Sequence, residues 1–143
     1  MKRRNAMQRL AAGGALVVGA TGCALGTDAV VYHGVSVECE KSVGRVRNVQ
    51  YTYGEWLKNA REGVVTPIGS VFLSPMPLPE EFTISWDAPD GRRQEAKVPV
   101  RSRFTWGVGR GDVVVFVITA ANTVEGYVDP SPSRSGAARW RFY

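Results

Sequence analysis

Polar and apolar residues alternate with a period of two along much of the chain after residue 30. That period places every second side chain on the same face of a β-strand. The segments 30–38 and 45–53 are rich in β-branched and aromatic residues, which favour strands. In the second segment Val49, Tyr51 and Tyr53 fall on one face. Both segments are predicted to be half-buried strands.

Two segments that follow depart from this alternation. Between Gly54 and Gly63 the chain reads "EWLKNARE", for which we predict a short helical turn tethered by Trp56 and Leu57. Residues 73–81, "LSPMPLPEE", contain three prolines, and proline lacks the N–H that a sheet ladder requires. We therefore predict an extended crossing segment or a sheet edge there.

A β-hairpin is predicted next. Phe82, Ile84 and Trp86 share one face of its first strand, and "APDG" then turns the chain. The Asp-Gly pair is a preferred hairpin turn. Val98 and Val100 on the returning strand are expected to pack against the aromatic face of the first.

The remaining strands complete a β fold. Residues 112–120, "DVVVFVITA", are apolar on both faces and predict a central strand covered on both sides. In "RWRFY", Trp140 and Phe142 lie opposite Arg139 and Arg141, as in a strand with one buried face. About seven strands at this spacing predict an all-β domain, an antiparallel β-sandwich or a small barrel, with one short helical turn.

The beginning of the chain has a different composition. Four basic residues among the first nine precede an uncharged segment over 10–22. This is the order of a secretory signal peptide, and the segment is shorter than the ~20 apolar residues of a membrane-spanning helix. It closes with "ATGC", which ends at Cys23. This motif resembles the lipobox of bacterial lipoproteins, in which small residues precede a cysteine that receives a diacylglycerol before cleavage.

The resemblance implies a cellular location for the protein. Residues 1–22 would be removed, Cys23 would carry the lipid, and several acyl chains would hold the protein firmly on a membrane. The residue after the cysteine is Ala24 rather than an aspartate, and in lipoproteins of Gram-negative bacteria an aspartate there commonly retains the protein at the inner membrane. The expected location is therefore the cell envelope, on the outer membrane and facing the periplasm.

Two other interpretations of this region remain open. The chain could be cleaved further on, for example at Ala29, and be secreted without a lipid. It could also stay uncleaved, with Cys23 and Cys39 joined in a disulfide. If Cys23 carries a lipid, Cys39 has no partner within the chain and is expected to be a buried, inert thiol.

Cleavage before Cys23 would also change the net charge of the protein. The chain has 18 basic and 13 acidic residues, and the four basic residues before Cys23 would be lost. The remainder is nearly neutral, so we expect no nucleic-acid partner. The predicted organisation is a signal peptide at 1–22, a lipid-anchored linker at 23–29 and a single β domain at 30–143.

The candidate catalytic chemistry is sparse. The chain has one histidine, His33, which in a strand is expected to be structural. No G-x-S-x-G motif is present for a nucleophile, and one histidine with one spare cysteine argues against a metal site. Adjacent carboxylates, the pairs Glu80 with Glu81 and Glu38 with Glu40, are expected to be solvated. We predict no catalytic residue, no metal and no cofactor.

Aromatic and arginine side chains are the better candidates for function, because they dominate protein-binding hot spots. We predict a non-enzymatic protein-binding module, either an accessory subunit of an envelope machine or an immunity-type inhibitor of an envelope-targeting effector. The alternative is a carboxylate-dependent enzyme that acts on envelope polymers. The predicted partner-binding residues are Arg101, Arg103, Trp106, Arg139 and Trp140.

Overall fold

The alternating segments form two β-sheets. The computed structural model describes residues 29–105, 107–134 and 136–143; the predicted signal peptide, Cys23 and Trp106 lie outside them. One turn of 3-10 helix covers Arg101–Arg103. Nine strands are present in the described residues: β1 Val31–Cys39, β2 Val46–Tyr53, β3 Leu57–Val65, β4 Val71–Met76, β5 Glu81–Asp87, β6 Arg93–Pro99, β7 Val113–Ile118, β8 Val124–Asp129 and β9 Trp140–Arg141.

The two sheets pack face to face as a sandwich. One has the strand order β4-β1-β7-β8-β9 and the other β3-β2-β5-β6. The predicted all-β sandwich is confirmed, and a closed barrel is not formed. The sheets contain more strands than the seven expected. All neighbouring strands are antiparallel except β1 and β7, which are parallel with Gly34 opposite Val113 and Cys39 opposite Ile118.

The predicted helical turn at 54–63 is wrong. Strand β3 covers most of that segment and pairs with β2, from Val46 opposite Val65 to Tyr53 opposite Leu57. A helix this short is marginal by itself, whereas the β2–β3 hairpin satisfies the same backbone groups with ladder hydrogen bonds. The predicted tether Trp56 is 60% exposed and buries little surface.

The prediction for β7 is confirmed. Its inner face, Val114, Phe116 and Ile118, is fully buried between the sheets. On the opposite face Val115 is also fully buried and Val117 nearly so. The strand also lies between β1 and β8 in the middle of its sheet, so both of its edges are paired.

The predicted hairpin and sheet edge are also present. Strands β5 and β6 pair with Phe82 opposite Val98, and Gly91 in the turn adopts a positive φ of 83°. The proline-containing strand β4 is an edge strand. Proline is tolerated at such an edge because the N–H it lacks would point away from the neighbouring strand.

The buried carboxylate of Asp112 joins two loops just before β7. Its Oδ2 accepts a hydrogen bond from the Gly109 N–H at 2.8 Å, and its Oδ1 accepts one from the Ser131 N–H at 2.9 Å. The Arg134 guanidinium lies 3.4 Å from Oδ2. The side chain of Asp112 is only 3% exposed, so these contacts replace the water it has lost.

Cys39 is a free, buried thiol at the end of β1. Its Sγ lies 3.6 Å from the carbonyl oxygen of Val65, and burial raises the pKa of the thiol. Thiol reactivity depends on the thiolate, so a raised pKa makes this cysteine unreactive at neutral pH.

Candidate functional site

A column of aromatic rings runs from the core to the surface at β9. Phe82 stacks on Phe116 with ring centroids 3.6 Å apart, and Phe116 meets Phe142 edge to face at 6.1 Å. Phe104 contacts Phe142 at 4.9 Å and Trp140 at 5.7 Å. Trp140 is 42% exposed. An exposed aromatic is thus supported from below by rings that belong to the core.

Gly126 in β8 makes room for this column. A Cβ atom at residue 126 would lie only 2.4 Å from Cζ of Phe142. The backbone holds the ring in place, since the Phe142 N–H donates to the Gly126 carbonyl at 2.9 Å. Any larger residue at 126 would displace Phe142, so the glycine is what allows the last residues to close over the sheet.

Arg103 and Tyr143 extend the aromatic column into a groove. The Arg103 guanidinium lies 5.5 Å from the centroid of the Tyr143 ring, a cation–π contact. Arg141 stays beside them through Nε, which donates to the Tyr143 carbonyl at 2.6 Å. The groove has a volume of about 630 Å³ and is lined by Arg103, Thr123, Val124, Glu125, Arg141, Phe142 and Tyr143.

We call the exposed part of this region the Arg103–Trp140 surface, defined as Arg103, Trp140, Arg141, Phe142 and Tyr143. The sequence had suggested Arg103 and Trp140 but not Tyr143 or Arg141. Their signal was present, because both are neighbours of Trp140 in a segment that alternates arginine with aromatic residues.

Arg101 is not among the residues that line the groove. Its Nε and Nη2 donate to the Leu78 carbonyl at 3.1 and 2.7 Å, and its Nη1 donates to Glu80 at 2.8 Å. These bonds tie the 3-10 turn to the proline-rich segment before β5. Arg101 therefore anchors the 3-10 turn that also contains Arg103.

Arg139 lies on the outer face of the five-stranded sheet. Its Nε and Nη2 donate to Asp129 at 2.5 and 2.7 Å, and its Nη1 and Nη2 donate to Glu38 at 3.2 and 3.3 Å. These bonds, above all those to Asp129, raise the pKa of the Arg139 guanidinium above its ordinary value. The Arg139 side chain also covers the Tyr127 ring at 5.7 Å. It connects β1 to β8 across β7 and is not part of the Arg103–Trp140 surface.

The acidic pairs considered from sequence have separate partners. Glu80 bonds Arg101, while Glu81 faces Lys97 at 4.0 Å. Glu38 bonds Arg139, and Glu40 accepts the Ala120 N–H at 2.7 Å. In the described part of the chain, no group of three or more His, Cys, Asp and Glu side chains is placed to hold a metal ion.

His33 is fully buried between the sheets. Its Nδ1 lies 2.8 Å from the Val31 carbonyl, which can only accept, so Nδ1 carries the proton. Its Nε2 then accepts from the Tyr53 hydroxyl at 3.0 Å. Burial lowers the pKa of His33, and the hydrogen bond to Val31 and the negative charge of Asp112 oppose this only in part. The imidazole is thus held neutral.

This burial predicts a pH dependence of stability. Below the unfolded value of 6.5, the unfolded chain binds a proton that folded His33 does not, so the free energy of unfolding falls as the pH is lowered. Urea unfolding between about pH 7.5 and 5.5 is expected to show a slope of up to about 1.4 kcal/mol per pH unit below 6.5. His33→Gln removes the titrating group and should flatten the profile. An equal slope in both proteins would contradict the assignment.

A second groove was not predicted from sequence. It lies on the outer face of the four-stranded sheet and has a volume of about 590 Å³. The polar residues that line it are Gln50, Thr52, Asn59, Thr83, Ser85, Glu95 and Lys97. Their period-two spacing in β2, β5 and β6 is that of an ordinary solvated face, so the groove has no distinct chemistry.

No helix among the described residues is long and apolar enough to cross a membrane. Comparison of the chain with known proteins finds no matching family model, no matching curated relative and no matching solved structure.

Proposed function

We propose that the protein is a lipid-anchored lipoprotein of the bacterial cell envelope, whose β-sandwich binds another protein without chemistry of its own. The observation that carries the proposal is the Arg103–Trp140 surface. It presents an aromatic residue and two arginines in and beside a groove of about 630 Å³. The lipobox-like "ATGC" supports the anchor.

The aromatic rings packed beneath this surface favour a role in binding another protein. Tryptophan, tyrosine and arginine supply large contact area and several hydrogen bonds, which is why they are frequent at hot spots. Here Trp140 packs on Phe104, and Phe142 packs on Phe116 of the core. Side chains that are already ordered lose less conformational entropy when a partner binds.

The position of the groove relative to the proposed anchor also supports this function. Strand β1 begins at Val31, a few residues after Cys23, and ends at Cys39. Cys39 lies beside Ile118, which pairs with Val124 in the groove lining. The groove is thus near the end of the sheet opposite to the point where the chain would leave the membrane. A partner in the periplasm could approach it freely.

The anchor predicts the outcome of Cys23→Ser. The variant has no thiol for diacylglycerol transfer, so we expect it to leave the membrane fraction or to stay unprocessed. Metabolic labelling with a palmitate analogue should mark the wild type alone. Equal fractionation and equal labelling of both proteins would disprove the anchor.

The binding surface predicts the effect of two single changes. Trp140→Ala removes the supported aromatic, and Arg103→Glu reverses the charge beside Tyr143. Each is expected to weaken capture of the partner from a membrane extract by about 2 kcal/mol, or roughly 30-fold.

The matched controls are changes of the same type elsewhere on the surface. Trp56 is 60% exposed in the β2–β3 turn, and Arg92 is exposed in the β5–β6 turn. Trp56→Ala and Arg92→Glu are expected to leave capture unchanged at matched expression. If all four variants retained the wild-type partner, the Arg103–Trp140 surface would not be the binding site.

A further inference from the structure

Strand β4 is an exposed, apolar sheet edge. Three consecutive residues in it, Val71, Phe72 and Leu73, are 42–49% exposed. Ile68, in the segment between β3 and β4, is exposed as well. We call these four residues the β4 patch. Within the described residues, β4 pairs with β1 on one side and with no strand on the other.

The backbone of β4 is ready to pair on its free side. The Gly34 N–H donates to Asp112 just before β7 at 2.8 Å, so Gly34 directs its backbone groups away from β4. Leu73, opposite Gly34, and Val71, opposite Ser36, are therefore non-hydrogen-bonded positions of the β1–β4 pair. Their N–H and C=O groups point outward to the free edge.

Pro75 follows the same alternation of backbone groups that point toward β1 and toward the free edge. It lies opposite Tyr32, whose carbonyl accepts from the Gly111 N–H on the β7 side at 2.8 Å. The N–H that proline lacks would thus have pointed outward, and β1 loses no bond. The outward pairing groups of β4 are concentrated on Val71 and Leu73, on either side of Phe72.

The other sheet edges are protected by charge, which is the usual defence against edge-to-edge association. In contrast, the sequence has no charged residue between Gly63 and Glu80. The charged residues of the other edge strands are Lys58, Arg61 and Glu62 in β3, Arg93, Glu95 and Lys97 in β6, and Arg141 in β9.

We propose that β4 pairs antiparallel with β4 of a second copy, around a two-fold axis at Phe72. Val71 of each copy then lies opposite Leu73 of the other, and each of these two pairs exchanges two backbone hydrogen bonds. Phe72 meets Phe72 of the partner copy as the close, non-hydrogen-bonded pair. An antiparallel pairing of a strand with itself places the side chains of that strand on both sides of the axis, and an uncharged strand does this without charge repulsion.

The area of the patch fits a dimer that dissociates on dilution. An aromatic side chain buries about 150 to 250 Å² in full, so a half-exposed apolar side chain offers at most on the order of 100 Å². Four such side chains on each copy therefore offer about 800 Å² in total, which is below the ~1,200 Å² of stable interfaces and is typical of a weak one. The joined sheet extends over both copies and leaves the Arg103–Trp140 surface of each at the far edge, on β9.

Sedimentation velocity over a concentration series tests the proposal. The whole chain is used with Cys23→Ser, so that no lipid and no second reactive thiol is present. The protein should be a dimer that dissociates on dilution. Phe72→Lys and Phe72→Glu each place two equal charges across the axis and should weaken the dimer at least about tenfold. Mixing the two variants should restore it as a mixed dimer.

A cross-link tests the register. Phe72→Cys in the same background should form a disulfide between copies under mild oxidation, because paired Cα atoms in this arrangement are ~4.5 to 5.5 Å apart. Trp56→Cys, in the exposed β2–β3 turn, should not. Trp56→Lys is the control for added charge and should leave the dimer unchanged.

The thermal midpoint of each variant should stay near that of the wild type under conditions where the wild type is monomeric, because Phe72 is 42% exposed. A wild type that stays monomeric at all concentrations overturns the proposal. So does a dimer that survives both charged variants, or one in which only the Trp56 thiol cross-links.

Discussion

Replacing Phe116 by alanine is expected to lower the free energy of unfolding by about 3 to 5 kcal/mol. The ring is fully buried, stacks on Phe82 and meets Tyr53 and Phe142 edge to face. The change removes apolar contacts on three sides and leaves a cavity that the surrounding strands cannot close. Domains of this size have a total stability of about 5 to 15 kcal/mol, so the variant should unfold at a much lower urea concentration.

The matched control is another aromatic-to-alanine change on the surface. Trp56→Ala removes a larger side chain that is 60% exposed, and its effect should stay within about 0.5 kcal/mol. Urea denaturation followed by tryptophan fluorescence or circular dichroism measures both. An unfolding midpoint of Phe116→Ala equal to that of the wild type would remove β7 from the centre of the sandwich.

Asp112→Ala is expected to lower the free energy of unfolding by about 3 to 5 kcal/mol, although it removes few apolar contacts. The substitution leaves the N–H groups of Gly109 and Ser131 without their acceptor. It also leaves the Arg134 guanidinium without its nearest carboxylate. Both loops should loosen at once, because one side chain holds them together.

Two further variants separate these contributions. Asp112→Asn keeps one oxygen acceptor and the size of the side chain, so its loss of stability should be smaller than that of alanine. Arg134→Ala removes a side chain that is 53% exposed, and exposed ion pairs contribute at most about 1 kcal/mol. If Arg134→Ala were as damaging as Asp112→Ala, the ion pair and not the backbone hydrogen bonds would be the main contribution.

The sequence was sufficient where a local pattern directly sets which way a side chain points. Phe82, Ile84 and Trp86 were assigned to one face from their spacing alone, and all three are buried. The same reasoning failed for "EWLKNARE", because eight residues without clear alternation are compatible with a turn of helix or with a strand. Only the neighbouring β2 decides between them.

Pairings across long distances in sequence were not predictable. Arg103 and Arg139 are both arginines next to aromatic residues, and sequence alone grouped them in one binding site. Arg139 is held by Glu38, 101 residues away along the chain, and no local signal reveals that contact. Trp106 and Cys23 lie outside the described residues and remain predictions.

The parallel pair of β1 and β7 affects the order of folding. Gly34 pairs with Val113, so most of the domain must be synthesised before β1 meets β7. The hairpins β2–β3 and β5–β6 connect nearby residues and can form while that contact is still missing. Contacts between such distant residues slow folding. A chain that emerges in order of its sequence would therefore complete its five-stranded sheet only after β7, β8 and β9 have emerged.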